Sequence, residues 1–264
     1  MRKFIISTLW VLLLPAVFGL NSCSERSAVP DLAPSDDPAD YDVDTSIEYQ
    51  VQVSEPRWVV PSEALPAEAP TMASNANVDI IFHTDRLFMA WRTAPEHFAS
   101  DQVYMLVVSS LDGGKTWEFE HLIDLDTDLR EPRFLSYGGK LQLIFFQAGT
   151  IALSFEPITM WRTVRRAPGD WSEIEVLVDG PEVPWDVKVR GGIAYMTSYR
   201  GEHYSGDEDA TVRVFFKYST DGDTWKLVDD RPSVYEGGVS ESAFEFDEDG
   251  SLWVVTRNED GDET

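Results

Sequence analysis

Residues 77–92 read NVDIIFHTDRLFMAWR: an apolar stretch, a Thr-Asp turn and a second apolar stretch, the pattern of a β-hairpin. Three further segments have the same form: EPRFLSYGGKLQLIFFQ at 131–147, DVKVRGGIAYMTSYR at 186–200 and ESAFEFDEDGSLWVVTR at 241–257. Their starts lie 54, 55 and 55 residues apart. The turns are TD, GG, GG and EDG, residues that accept the positive φ of a tight turn. Two more strand-like runs follow a hairpin, as in VYMLVVSS then WEFEHLID, and VRVFFKYS then WKLVDD. No segment carries a helical period. Four antiparallel strands in about 50 residues, repeated, is the measure of a β-propeller blade. The expected fold is therefore all-β, with one repeat per wedge-shaped sheet.

Composition narrows the function. The 264 residues hold 21 Lys+Arg against 47 Asp+Glu, a net charge of −26, which repels phosphates and excludes a nucleic-acid partner. A single cysteine excludes intrachain disulfides and zinc sites built on paired cysteines. His83, His97, His121 and His203 have no ligand spacing, and there is no nucleotide loop or GxSxG elbow. No metal and no cofactor is expected. The acidic runs GEHYSGDEDA and NEDGDE read as solvated loops.

The N-terminus reads as an address. Arg2 and Lys3 precede an apolar run from Phe4 to Leu20, the layout of a secretory signal. Leu20, Asn21, Ser22 and Cys23 resemble the lipobox of bacterial lipoproteins. That resemblance implies a signal peptide over 1–22, lipidation of Cys23, and a lipid anchor to the bacterial cell envelope, at the outer membrane or cell surface. Two acyl signals suffice for stable anchoring. Loss of Arg2 and Lys3 leaves 19 basic against 47 acidic residues, a net −28. Residues 23–70, rich in Pro, Ala, Ser and acid, read as a linker that bears the folded domain of 71–264 away from the membrane. Within it, Tyr49 to Val60 alternates well enough to add one edge strand.

Between the third and fourth strands of the first repeat, SLDGGKTW places Ser110, Asp112, Gly114, Thr116 and Trp117 in the Asp-box pattern SxDxGxTW. A shortened copy, STDGDTW, carries Ser219, Asp221, Gly222, Thr224 and Trp225, and the stretch Trp161 to Trp171 resembles a decayed one. The chemistry of these boxes is structural: carboxylate and hydroxyl accept backbone N–H bonds, glycine takes positive φ, and the indole packs between hairpins.

Asp boxes on repeats of this size resemble the sialidase (neuraminidase) superfamily, a six-bladed propeller, over residues 75–264. The nearest likeness is ESAFEFDEDGSLWVVTRN, where a Glu opens a strand, an acidic DG turn follows and an Arg-Asn pair ends the return strand. The resemblance implies an exo-α-sialidase type of glycoside hydrolase acting on sialylated or other acidic glycans. Glu241 would polarise a tyrosine nucleophile and Arg257 would grip the substrate carboxylate. It also implies a catalytic acid in the loop after Arg92, where Glu96 and Asp101 lie. Asn75 and Asn77 stand where the family has its first arginine, and Arg133 in EPRF is the substitute. The 190 residues from Asn75 to Thr264, at about 54 per unit, make three and a half blades, so the tyrosine and third arginine are expected beyond Thr264.

The repeat alone reaches a similar site. Equivalent positions on inner strands converge on one mouth of a propeller. One set reads Asn77, Glu131, Asp186 and Glu241; the set at the return-strand ends reads Arg92, Gln147, Arg200 and Arg257. Guanidiniums suit a bidentate grip on carboxylate, phosphate or sulfate. Arg92, Arg200 and Arg257, with Asp186 and Glu131, are thus candidate substrate-binding residues, and the family resemblance adds Arg133 to them. The alternative is that each acid pairs with an arginine to satisfy strand ends. Three functions follow: a sialidase-type hydrolase, a non-catalytic glycan-binding or scaffold propeller, and a hydrolase of another acidic or sulfated glycan.

Overall fold

The computed structural model describes residues 55–201, 211–228 and 233–259. Cys23, the signal segment, His203 and most of both acidic runs lie outside them. The described residues form sixteen β-strands and no α-helix, in successive antiparallel sheets. The first blade is β1 (Ser74–His83), β2 (Arg86–Ala94), β3 (Tyr104–Ser110) and β4 (Glu118–Ile123), hydrogen-bonded in that order. The second is β5 (Asp128–Tyr137), β6 (Lys140–Ala148), β7 (Pro157–Ala167) and the short β8 (Asp170–Trp171), with β9 (Glu175–Asp179) also pairing β7. The third is β10 (Val183–Arg190), β11 (Ile193–Gly201), β12 (Val212–Ser219) and β13 (Lys226–Leu227), with β14 (Tyr235–Gly237) on β12. A last hairpin joins β15 (Val239–Phe246) to β16 (Leu252–Asn258). The first strands of the blades neighbour one another in the order β1, β5, β10, β15, as the inner strands of a propeller do.

Stacked sheets bury both faces of their middle strands, and β6 shows how the sequence achieves this. Leu141, Leu143 and Phe145 point to the first blade and pack with Phe88, Ala90 and Ala94. The intervening Ile144 packs with Ala194 and Met196 of the third blade, and Phe146 with Val183, Val212 and Val214. A strand apolar on both faces reads as a continuous run rather than an alternation, which is why LQLIFF looks as it does. The third blade meets the last hairpin through rings: Tyr195 stacks on Phe216 at 5.7 Å, and Phe216 meets Phe244 edge-on at 5.2 Å.

The turns follow their residues. Gly138 and Gly139 (φ +58° and +75°) close a two-residue hairpin between Tyr137 and Lys140. Both centres lie in the left-handed region that matches strand twist. Both Asp boxes have the structural chemistry expected of them. Ser110 Oγ accepts the amide of Gly114 at 2.7 Å, while Asp112 accepts those of Lys115 and Thr116 at 2.9 Å. These bonds, the Thr116 amide foremost, hold the Asp112 carboxyl well below the usual carboxylate range. Asp221 repeats the arrangement through Thr224 and Asp223. The stretch 161–171 differs: it is β7, a tight turn at Gly169 and β8, with Trp171 buried against the first blade.

The linker expected over 23–70 ends earlier than its composition suggests. Val59, Val60, Ala64, Leu65 and Ala69 lie against Met89, Trp91, Leu106, Val108 and Trp117, covering the outer face of the first blade. Arg57 donates to the carbonyl of Gly114 at 2.7 Å, and the amide of Trp117 bonds Ala64 at 3.2 Å. The prolines that suggested a spacer instead shape a strap. Residues 55–60 form no strand, and the rest of the expected edge strand lies outside the described residues.

Phe145, fully buried between two blades, is expected to cost about 3–5 kcal/mol of unfolding free energy when cut to alanine, whereas Ile80, 60% exposed, costs about 0.5 kcal/mol or less. Urea unfolding of Phe145→Ala and Ile80→Ala checks the difference.

Candidate functional site

Each inner strand is interrupted near its start by a β-bulge. Pairing shifts between Ala76 and Asp79 in β1, Arg130 and Arg133 in β5, Pro184 and Asp186 in β10, and Val239 and Ser242 in β15. The residues pushed out of register are Asn77, Glu131, Trp185, Ser240 and Glu241 among others. Bulges re-aim side chains, and here they do so at the same end of consecutive inner strands. Asn77 and Glu131 take φ +50° and +49°, a left-handed conformation that costs a residue with a Cβ about 1–3 kcal/mol.

The bulged residues meet across the blades. Asn77 Nδ2 donates to Glu131 Oε1, and Arg133 Nη2 donates to Glu131 Oε2 at 2.8 Å. Arg133 also donates through Nε to the carbonyl of Trp185 and lies 5.1 Å over that indole. On β15 and β16, Arg257 Nη1 donates to Glu241 Oε1 at 3.0 Å, and Nε sits 3.3 Å from Glu259. Burial pushes the Glu131 carboxyl above its usual range; Arg133 and Arg130 oppose the shift, and the charge of Glu241 adds to it. Asp79 is also raised by burial, although it accepts the amide of Phe134 at 2.6 Å.

Four of the sequence candidates thus form two pairs at the bulged ends of inner strands, Glu131 with Arg133 on β5 and Glu241 of β15 with Arg257 of β16. Asp186 lies one junction on, accepting the amide of Phe244 and the ammonium of Lys188, both at 3.0 Å. The expected ring of arginines does not form. Arg92 is fully buried with Asp128, at 2.8 Å, and donates to the carbonyls of Glu96 and Phe98 at 3.3 and 2.9 Å. It ties the loop after β2 to the second blade. Arg200 rests 3.6 Å from Glu182 and over Phe215. For Arg92 the reason is register. Counted from the turn-closing pairs His83–Arg86, Tyr137–Lys140 and Phe246–Leu252, Arg257 stands level with Trp91 and Phe145, not with Arg92. One residue of slip turns a strand side chain to the other face. Glu96 and Asp101 are exposed on the loop after β2, where Glu96 borders a shallow cleft with Phe98, Ser100 and Gln102.

Sequence reasoning passed over Trp185 and Asp79. Counting back from the hairpin turn places Asp79, Arg133 and Asp186 at one equivalent position, and that count is the signal that finds them. Among the described residues no three metal-ligating side chains cluster.

No protein-family model and no curated sequence matches the chain. Solved structures do. A mutant of Trypanosoma rangeli sialidase displaying trans-sialidase activity is 17% identical over 70% of this chain and 34% of that one, with a TM-score of 0.50. The fold is a β-propeller. An α-L-arabinofuranosidase from Lactobacillus brevis (15% identity, 72% and 67% covered, TM-score 0.48) and a Penicillium chrysogenum α-L-arabinanase complexed with arabinobiose (16%, 58% and 50%, 0.43) are similar as well. The chain spans about half the length of the first solved structures it matches.

Because Glu131 holds its proton more tightly in the folded protein than in the unfolded chain, its contribution to stability is complete at low pH and is lost as pH rises through the folded value. Glu131→Gln, which cannot ionise, is expected to gain stability relative to wild type as pH rises from the ordinary glutamate range toward neutrality. Asp79 leaves part of the slope in both proteins. Thermal melting across that pH range tests the sign.

Proposed function

We propose that this chain is a glycoside hydrolase of exo-sialidase type that acts on acidic glycans and is held at the bacterial cell envelope by a lipid on Cys23. The observation that carries the reading is the Glu241–Arg257 pair at the bulged end of β15, the same end at which β5 carries Glu131 and Arg133. The likeness of the fold to a sialidase supports it. Arg257, 41% exposed along its side chain, supplies a fork for a sugar carboxylate. An anomeric carbon bearing that carboxylate repels an anionic nucleophile, so a neutral phenol polarised by Glu241 suits the reaction better. A second reading, a propeller that binds acidic glycans without cleaving them, is favoured by one observation: Arg133 and Arg257 are both already engaged by carboxylates.

The test compares methylumbelliferyl α-sialoside with the neutral nitrophenyl α-L-arabinofuranoside. Turnover of the sialoside alone is expected. Arg257→Ala is expected to raise its KM about 10- to 100-fold, the loss of one charge-assisted grip of about 1.5–3 kcal/mol. Faster cleavage of the neutral glycoside removes the acidic-glycan assignment, and binding of sialyl-lactose without any turnover selects the second reading. For the anchor, wild type is expected in the detergent phase of a Triton X-114 partition and Cys23→Ala in the aqueous phase; equal partition removes the lipid assignment.

A further inference from the structure

We propose that the cleft between the loops after β2 and β6 binds an uncharged sugar unit of the glycan, an inference that rests on the function proposed above. The loop after β2 is held from beneath. Three consecutive carbonyls accept from two guanidiniums: Arg92 donates to Glu96 at 3.3 Å and to Phe98 at 2.9 Å, and Arg130 donates to His97 at 2.9 Å. One carboxylate fixes both guanidiniums, since the two oxygens of Asp128 accept from Arg92 Nε at 2.8 Å and from Arg130 Nε at 2.6 Å. Arg92 and Asp128 are wholly buried, and a buried ion pair adds little net stability over an apolar packing of the same volume. What this one achieves is position. The backbone of 96–98 is pinned at every residue while the side chains of Glu96 and Phe98 stay exposed. Arg130 immediately precedes Glu131 in the bulge of β5, so the pinned loop stands at the end of the blades that carries the candidate site.

Phe98, 48% exposed, lines the cleft with Glu96, Ser100 and Gln102, and Ala152 lines it from the loop after β6. His97 meets the Phe98 ring edge-on at 6.3 Å. The loop after β6 is an ordered turn, in which the amide of Gly149 bonds the carbonyl of Glu156 at 2.8 Å and that of Ser154 the carbonyl of Ile151 at 2.9 Å. An aromatic face edged by a carboxylate, an amide and a hydroxyl suits a pyranose, whose C–H groups cover the ring while its hydroxyls need donors and acceptors around it. Ser100 Oγ accepts the amide of Gln102 at 3.0 Å and keeps its hydrogen to donate. Charge selects among sugars. No lysine or arginine lines the cleft, and the Glu96 carboxylate repels a carboxylate or a sulfate. The occupant is therefore a neutral unit, and because the loop is pinned beforehand, binding does not have to order it.

The experiment titrates the full chain with lactose and reads saturation-transfer NMR, which reports binding without turnover. The ring C–H protons of lactose are expected to take up saturation, and methyl β-galactoside, but not galacturonic acid, is expected to displace it. Phe98→Ala is expected to weaken lactose binding about 5- to 20-fold through loss of the aromatic face, and Gln102→Ala about 2- to 10-fold through loss of a neutral hydrogen bond. Both side chains are exposed, so circular dichroism and melting of the variants are expected to match wild type. Absence of lactose binding, equal binding by Phe98→Ala, or displacement by galacturonic acid as readily as by methyl β-galactoside overturns the assignment. The hydrolase reading is judged separately, by turnover of methylumbelliferyl sialoside. Lactose binding that depends on Phe98, with no turnover of that sialoside, overturns the hydrolase reading alone and leaves the cleft as a neutral-sugar site.

Discussion

One side chain per inner strand, at an equivalent distance from its hairpin turn, fastens each blade to the next. Asp79 accepts the amide of Phe134, Arg133 donates to the carbonyl of Trp185, and Asp186 accepts the amide of Phe244. In each case the partner is the backbone of the following inner strand. A backbone group there has no strand beside it within its own sheet, so an unmet donor or acceptor at this depth costs about 1–3 kcal/mol. Meeting that need with a side chain fixes the angle and height at which consecutive blades stack. The near-constant spacing of the hairpins is the consequence, because the hook works only when the next inner strand arrives in the same register.

The same strands carry the candidate site, and the two demands compete. The hooks need regular pairing near the middle of the strand; the rim needs side chains turned out of the sheet at its start. Bulges separate them. Between Arg130 and Arg133 the strand leaves its ladder, presents Glu131, and returns in time for Arg133 to reach Trp185. The left-handed φ at Glu131 and Asn77, about 1–3 kcal/mol each, is offset by the interblade core, where Phe88, Leu143 and Phe145 are wholly buried. Burial also removes water from Asp79 and Glu131, which raises both carboxyls. The weakened acidity of these two carboxyls thus follows from the packing that holds the blades together.

Much of this architecture is legible in the sequence because hairpins and Asp boxes are local. GG between two apolar runs specifies a turn wherever it occurs, and SLDGGKTW closes its own hydrogen bonds. The site is less legible because it depends on register. In WRT at 91–93 and TRN at 256–258 the arginines look alike, yet Trp91, not Arg92, is level with Arg257, and Arg92 turns inward to Asp128. The strap of residues 59–69 is hidden for another reason. Its apolar residues are few and irregularly spaced, and they gain a partner only because the first blade leaves Met89, Trp91 and Leu106 needing cover. Composition measures what a segment can bury by itself, not what a neighbouring sheet offers it.

The charge balance of the rim bears directly on how selectivity arises. At −26 overall, the protein repels acidic ligands at long range, a repulsion that salt screens beyond about 8–10 Å. Attraction must therefore be local. Arg133 is fixed by Glu131, a carbonyl and an indole, and serves the fold as much as the site. Arg257 is the more exposed of the two, at 41% of its side chain against 13%, and lies between Glu241 and Glu259. Solvent already weakens those pairs, so exchanging one of them for a sugar carboxylate costs little, whereas drawing Arg133 away leaves Glu131, 13% exposed, without its counter-charge. Under the proposed function, recognition of an anion therefore falls to Arg257, and Arg133 stays with Glu131.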